Sequence, residues 1–154
     1  PDYESGGWKF TLSGCTKYFN AYKKLVKELW NDITDEDITE ITNEHLSGKE
    51  FIFLYQRNDE IIGFINTSIR NDYVPGCTDD GVAYIEGIYV CKAYRRNQVA
   101  IQLVNHSIAF FKSRGFTEIA SDSLIENEVS QFWHKAMGFR EVERCVHFIK
   151  TIGE

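Results

Sequence analysis

Glu86 is set inside an otherwise apolar run, Val82-Ala-Tyr-Ile85 before it and Ile88 after it. An unpaired carboxylate in such a strand is costly, so it answers either to a cation or proton it must handle or to a structural ion pair. A second carboxylate, Asp122, stands at the end of the strand read over Phe116–Ala120. Between them lies a strand-to-helix junction, Tyr89-Val-Cys-Lys-Ala-Tyr-Arg-Arg-Asn-Gln-Val-Ala100, carrying Lys92, Arg95 and Arg96. A helix start offers free N–H groups and a positive dipole end, and three cations reinforce it as a phosphate site. A solvated basic loop that only caps a helix is the other reading of the same residues. Farther on, Asn127, Ser130 and His134 fall at steps of three and four, placing an amide, a hydroxyl and an imidazole on one helix face. That face either touches a polar ligand or is an ordinary polar helix side.

The elements that position these residues follow from hydrophobic spacing. Trp8–Leu12 alternates as a first strand, and a helix-favouring stretch through Tyr18, Leu25 and Leu29 ends near Trp30. Thr34 reads as an N-cap with Asp35, Glu36 and Asp37 in the first turn of a second helix, which Gly48 ends. Phe51–Gln56 and Ile61–Arg70 read as strands joined by the turn Arg57-Asn-Asp-Glu60. Residues 71–81 form a loop, and Val82–Cys91 is a strand. Arg95–Arg114 reads as a helix with Ala100, Leu103, Val104, Ser107, Ile108 and Phe111 on one face. Phe116–Ala120 then reads as a strand, Asn127–Met137 as a helix capped by Gly138, and Phe139–Lys150 as a last strand region. Helices alternating with strands predict an α/β or α+β mixed sheet covered by helices.

The chain has 154 residues, one domain's worth. No repeat or linker divides it, so residues 1–7 read as a flexible lead-in and 8–154 as a single domain. With 17 basic and 23 acidic residues the net charge is −6, which argues against nucleic acid and admits a cationic partner. No apolar run is long enough for a membrane helix, and no signal peptide opens the sequence, so a cytoplasmic protein is expected. Cys15, Cys77, Cys91 and Cys145 are scattered without a CxxC pair or metal spacing to His45, His106, His134 or His147. They read as reduced thiols, with no zinc site.

Taken in order, these segments resemble the GNAT family of N-acetyltransferases. Arg95-Arg-Asn-Gln98-Val-Ala100 is similar to that family's coenzyme loop, Arg/Gln-x-x-Gly-x-Gly/Ala, with Gln98 in place of the central glycine. Asn127, Ser130, Gly138 and Phe139 keep the spacing of the family's later motif, and His134 stands where a tyrosine is usual. A narrower resemblance links Leu25–Trp30, Ser68–Cys77, Ile85–Val90, Ala120–Ser123 and Phe139–Arg144 to the chromosomal type of aminoglycoside 6′-N-acetyltransferases.

The resemblance implies acetyl transfer from acetyl-CoA to the 6′-amine of an aminoglycoside, by direct attack and without a metal, in a homodimer. It implies that Trp30, Tyr73, Glu86, Asp122 and Glu143 line the acceptor site. It also implies that Ile88, Tyr89 and Val90 hold the pantetheine arm. Arg95, Arg96, Asn97, Gln98, Val99, Ala100 and Ile101, with Asn127, Ser130 and His134, would contact the rest of the coenzyme. Glu86 is the first candidate base and Asp122 the second; His134 is a candidate acid or a coenzyme contact. The acids at 32–50 and 72–80 suit a polycationic acceptor. Two other readings remain open: the same fold acting on a polyamine, peptide or small metabolite amine, and an acyl-CoA-binding module without turnover.

Overall fold

A computed structural model describes residues 16–78 and 80–153. Two helices come first, α1 (Thr16–Leu29) and α2 (Asp35–Leu46). The Thr34 side chain accepts from the Asp37 N–H and the Asp37 carboxylate accepts from the Thr34 N–H, closing a capping box at the start of α2. Asp35, beside that cap, takes Lys23 at 3.1 Å and Lys27 at 2.7 Å from α1, which ties the two helices together.

β1 (Glu50–Arg57) and β2 (Glu60–Arg70) form an antiparallel hairpin. Its turn puts Asn58 and Asp59 at φ of 48° and 64°, a left-handed pair that these short polar residues accept. β3 (Val82–Val90) pairs antiparallel with β2. A 3-10 turn (Lys92–Tyr94) leads to α3 (Val99–Ser113), which crosses over to β4 (Ile119–Ala120), parallel to β3. α4 (Glu128–Ala136) follows. The sheet order is β1-β2-β3-β4, a mixed sheet as the alternation predicts.

Successive β1 side chains enter opposite cores, because strand side chains alternate faces. Ile52 and Leu54 pack with Tyr22, Leu25, Val26 and Ile38 of the first two helices. Phe53 and Tyr55 pack with Val99, Leu103 and Val104 of α3. Helices therefore cover both faces, which is why β1 reads as an unbroken apolar run.

Three expectations change. The helix expected from Arg95 begins at Val99, because Arg96 and Gln98 take φ of 66° and 63°, outside helical geometry. The strand expected over Phe116–Ala120 shrinks to its last two residues, which alone pair with β3. The strand expected over Phe139–Lys150 is absent: residues 139–153 form neither helix nor strand, and 140–153 are exposed throughout. The first strand expected at Trp8–Leu12 lies outside the described residues.

Candidate active site

The centre of the site is a defect in the sheet. Asn66 pairs with Gly87 and Thr67 with Ile85, so Glu86 is the extra residue of a bulge between β2 and β3. A bulge bends the strand and re-aims the side chain it carries. Beyond it, β3 keeps β2 on one side but has lost β4, whose pairing stops at Tyr84–Ala120. The Cys91 N–H reaches the Ile62 carbonyl at 2.8 Å. Antiparallel parity then turns the Tyr89 and Gly87 backbone groups toward β2 and those of Ile88 and Val90 toward the open edge. An extended thioester arm can add there as a further strand.

Glu86 does not stand alone. Arg70 donates to it from Nε at 2.9 Å and from Nη2 at 2.7 Å, and the Ser68 hydroxyl donates at 2.6 Å. Burial pushes its carboxyl upward, but the bonds from Arg70 and Ser68 and the Arg70 charge outweigh burial and hold it below its usual value. Arg70 also lies 3.5 Å from the centroid of the Tyr84 ring, and the Tyr84 hydroxyl donates to Asp122. Burial, then Asp122, raises the Tyr84 phenol. The two carboxylates singled out by sequence are thus linked through Arg70 and Tyr84, with Asp122 exposed at the outer end.

A cleft of about 390 Å³ opens over the bulge. Trp30, Asp32, Asp37, Glu50, Asn66 and Glu86 line it with Ile33 and Ile41. Trp30 packs against the bulge: a Cβ on Gly87 would come 2.5 Å from its Cζ2, so only glycine fits there. A second cleft of about 460 Å³ shares Glu50 and Glu86 and adds Glu44, Lys49, Ser68 and Asn71. Part of the acidic stretch is therefore wall. Asp35, by contrast, is occupied by the two α1 lysines.

Tyr73 is 83% exposed and lines neither cleft. Glu143 is exposed in the C-terminal segment and lines neither. The structure brings Trp30 and Glu86 together and leaves those two apart from them.

At the coenzyme loop, Arg95 turns back and donates through Nε to the Val90 carbonyl at 2.9 Å, closing the end of the open edge. Arg96, Asn97 and Gln98 are exposed. The Gln98 side chain makes no capping bond, and its carbonyl accepts the first α3 bond from Gln102 at 3.0 Å. Gln98 therefore adopts the left-handed turn a glycine would take, with its side chain outward. Val99 is buried in the core, while Ala100 is half-buried and Ile101 exposed. The first N–H groups of α3 remain available for a phosphate.

The helix-face trio is used locally. The Asn127 amide oxygen caps α4 by accepting from the Ser130 N–H at 3.0 Å. His134 Nδ1 donates to the Ser130 carbonyl at 2.7 Å, and its Nε2 meets the Ser121 hydroxyl at 2.8 Å. The imidazole thereby ties α4 to the end of β4. Cys91 packs against both cores and burial raises its thiol, which suits a packing residue rather than a nucleophile. Among the described residues no cluster could hold a metal ion, and no helix is long and apolar enough to cross a membrane.

Sequence reasoning missed Ser68, Arg70, Tyr84 and Asn66, and it placed Glu50 only among the acids of the 32–50 wall. Ser68 and Arg70 share one face by alternation and meet Glu86 across the pairing, a signal visible only once the register is known. Glu50 opens an apolar strand, as Glu86 interrupts one, and the same argument could have found it.

Comparison with known proteins agrees with this geometry. The profile of the acetyltransferase (GNAT) family matches residues 15–139. An aminoglycoside N(6′)-acetyltransferase type 1 from Acinetobacter genomosp. 13 is 38% identical over 84% of this chain and 89% of its own. The enzyme of the same name from Salmonella typhimurium is 36% identical over 86% and 92%. The solved structure of AAC(6′)-Iy in complex with the bisubstrate analogue CoA-S-monomethyl-acetylneamine superposes with a TM-score of 0.82 at 33% identity, covering 89% of this chain and 94% of that one. AAC(6′)-Ih from Acinetobacter baumannii superposes at 0.76 with 32% identity, covering 95% and 97%. A bulged, splayed strand beside a left-handed turn that opens a helix, in a chain matched over these lengths, belongs to the GNAT acetyltransferase family.

Proposed function

We propose that the protein transfers the acetyl group of acetyl-CoA to the 6′-amine of aminoglycoside antibiotics, and so confers resistance to them. The observation that carries this reading is the cleft at the bulge: an indole and four carboxylates, Asp32, Asp37, Glu50 and Glu86, beside the open edge of β3. Sugar faces stack on an indole, ammonium groups seek carboxylates, and the open edge brings a thioester to the same place. Relatives named for this reaction span most of the chain. The same fold acting on a polyamine remains the second reading, because the acidic walls also suit it.

Acetyl-CoA is the co-substrate. Its pantetheine arm lies along Ile88–Val90 and its pyrophosphate meets the start of α3 with Arg96, Asn97 and Gln98. The acceptor amine, once neutral, attacks the thioester carbon; a C–N bond forms and the C–S bond breaks. The electron pair leaves on the coenzyme sulfur, which takes up a proton. A backbone N–H at the open edge stabilises the oxyanion. Glu86, held ionised by Arg70, binds the acceptor's ammonium as a fixed anion. Asp122, with Tyr84, extends that charge outward. His134 positions Ser121 and α4: its Nδ1 is committed to the Ser130 carbonyl, which leaves Nε2, on the Ser121 hydroxyl, as the nitrogen that can exchange a proton.

The chain acts as a homodimer in the cytoplasm, where acetyl-CoA is made. In support of the dimer, Val146, Phe148, Ile149 and Ile152 of the unladdered C-terminal segment are exposed, Phe148 and Ile149 by 91% and 99%. A second copy would cover them, and Tyr73 and Glu143 reach acceptor only in that assembly.

Thiol release from acetyl-CoA, measured with kanamycin, spermidine and a lysine peptide as separate acceptors, tests the reading. Release with kanamycin alone is expected. Release with spermidine or peptide and silence with kanamycin would keep the fold and replace the acceptor.

A further inference from the structure

Glu86 is poorly suited to take a proton, since three hydrogen bonds from Arg70 and Ser68 occupy its carboxylate. The cleft holds another carboxylate with the opposite surroundings. Glu50 opens β1 directly across from Ser68 of β2, whose hydroxyl donates to Glu86, so only β2 separates the two carboxylates on this side of the sheet. It lines both clefts. The Glu44 carboxyl of α2 lies within hydrogen-bond reach of it.

A second observation points to a cation at this place. Asn66 is 1% exposed and lines the cleft with Glu50 and Glu86. Its Nδ2 donates to the Tyr22 hydroxyl at 2.6 Å, while its Oδ1 has no partner among the described residues. A buried acceptor left unpaired is costly, and a donor brought by a ligand removes that cost.

We propose that Glu50 accepts the proton that the acceptor's ammonium must lose before attack, with Asn66 Oδ1 holding that ammonium between Glu50 and Glu86. This rests on the acetyl-transfer reading above. The balance is complete: one N–H proton passes to the Glu50 carboxylate, directly or through one water, and then to solvent. The freed lone pair forms the C–N bond as the C–S bond breaks, and the second N–H proton ends on the coenzyme sulfur.

The charges around Glu50 fit the role. Facing it are Glu44, Glu40 and Asp37 of α2, Asp32 of the preceding loop, Glu86 of β3 with its Arg70, Tyr22 of α1 and Lys49 beside it. His45 of α2 is buried, and burial lowers its pKa, keeping it neutral. Burial first, then Glu44 and Glu86, pushes Glu50 up to about 7. A base works best when its pKa is near the working pH. Glu86, held low, falls outside that window.

The test is the pH profile of kanamycin acetylation from pH 5.5 to 9, on the full chain. The wild type should show an acid limb with its inflection near Glu50's raised pKa, about 7. Glu50→Gln should lose that limb and fall by about a hundredfold at pH 7.5, with coenzyme binding unchanged. Glu44→Gln leaves the base in place but removes a like charge, so its limb should move to lower pH. A Glu50→Gln variant that keeps the wild-type limb overturns the proposal. Should Glu50→Gln lose coenzyme binding through misfolding, an unshifted limb in Glu44→Gln overturns it. A wild type that acetylates spermidine and no aminoglycoside overturns the acceptor reading, and this proposal falls with it.

Discussion

At the residue scale, two carboxylates 36 positions apart in sequence are driven in opposite directions by their neighbours. Arg70 and Ser68 hold Glu86 ionised, whereas burial and Glu44 hold a proton on Glu50 into the neutral range. The sign of the stability effect follows. Glu50 is raised in the fold, so stability falls as pH rises from its ordinary value toward about 7 and stays reduced above. Glu50→Gln should therefore melt higher than wild type at pH 8, by roughly 2–4 °C for each kcal/mol recovered, and the gap should close near pH 5. An equal gap at both pH values in a calorimetric scan would refute that. Glu86→Gln leaves Arg70 half-buried without its anion, so kcat/KM for the acceptor should drop, while the coenzyme Kd changes by less than about threefold. Turnover equal to wild type would remove Glu86 from the site. Glu86 was legible in the sequence because a charge inside an apolar strand asks for a reason. Arg70 and Asn66 were not, because they answer to a register and a bulge that no local pattern encodes.

At the element scale, the coenzyme loop depends on a turn that L-residues resist. Gln98 holds φ of 63° with no side-chain bond to repay it. A left-handed non-glycine residue costs about 1–2 kcal/mol. Gln98→Gly should relieve that strain, let the pyrophosphate approach the α3 N-terminus more closely, and tighten coenzyme binding by several-fold in calorimetric titration. Weaker binding would mean that the Gln98 amide itself holds the coenzyme. Elements with strong periodicity were legible: α3 from its apolar face, α2 from Thr34 and its acids, β1 from its two-sided apolar run. The start of α3 was misplaced because Arg95–Gln98 is polar and compatible with a helix, and only the two positive φ values exclude it. β4 was overlong because Phe116–Glu118 run level with residues 80–82, where β3 is only beginning, so the ladder with β3 does not extend to them.

At the scale of the molecule, helices cover both faces of the sheet, and two clefts that share Glu50 and Glu86 open at the bulge, with Asp37 and Glu44 of α2 in their walls. The strand read at Phe139–Lys150 joins no ladder among the described residues. Its apolar residues Val146, Phe148, Ile149 and Ile152 are exposed, and the pairing a strand needs is not encoded in its own pattern. Phe148→Asp should shift the protein toward monomer in sedimentation and raise the acceptor KM more than the coenzyme KM. A variant that stays dimeric would place the interface elsewhere.

The central claim is that the cleft presents a 6′-amine to the thioester. Neomycin and paromomycin test it most directly, since they differ only in carrying an amine or a hydroxyl at the 6′ carbon. With acetyl-CoA, neomycin should gain one acetyl group on the 6′ nitrogen, and paromomycin should bind without being acetylated. Acetylation of paromomycin at the rate of neomycin, on any other amine, would contradict the account.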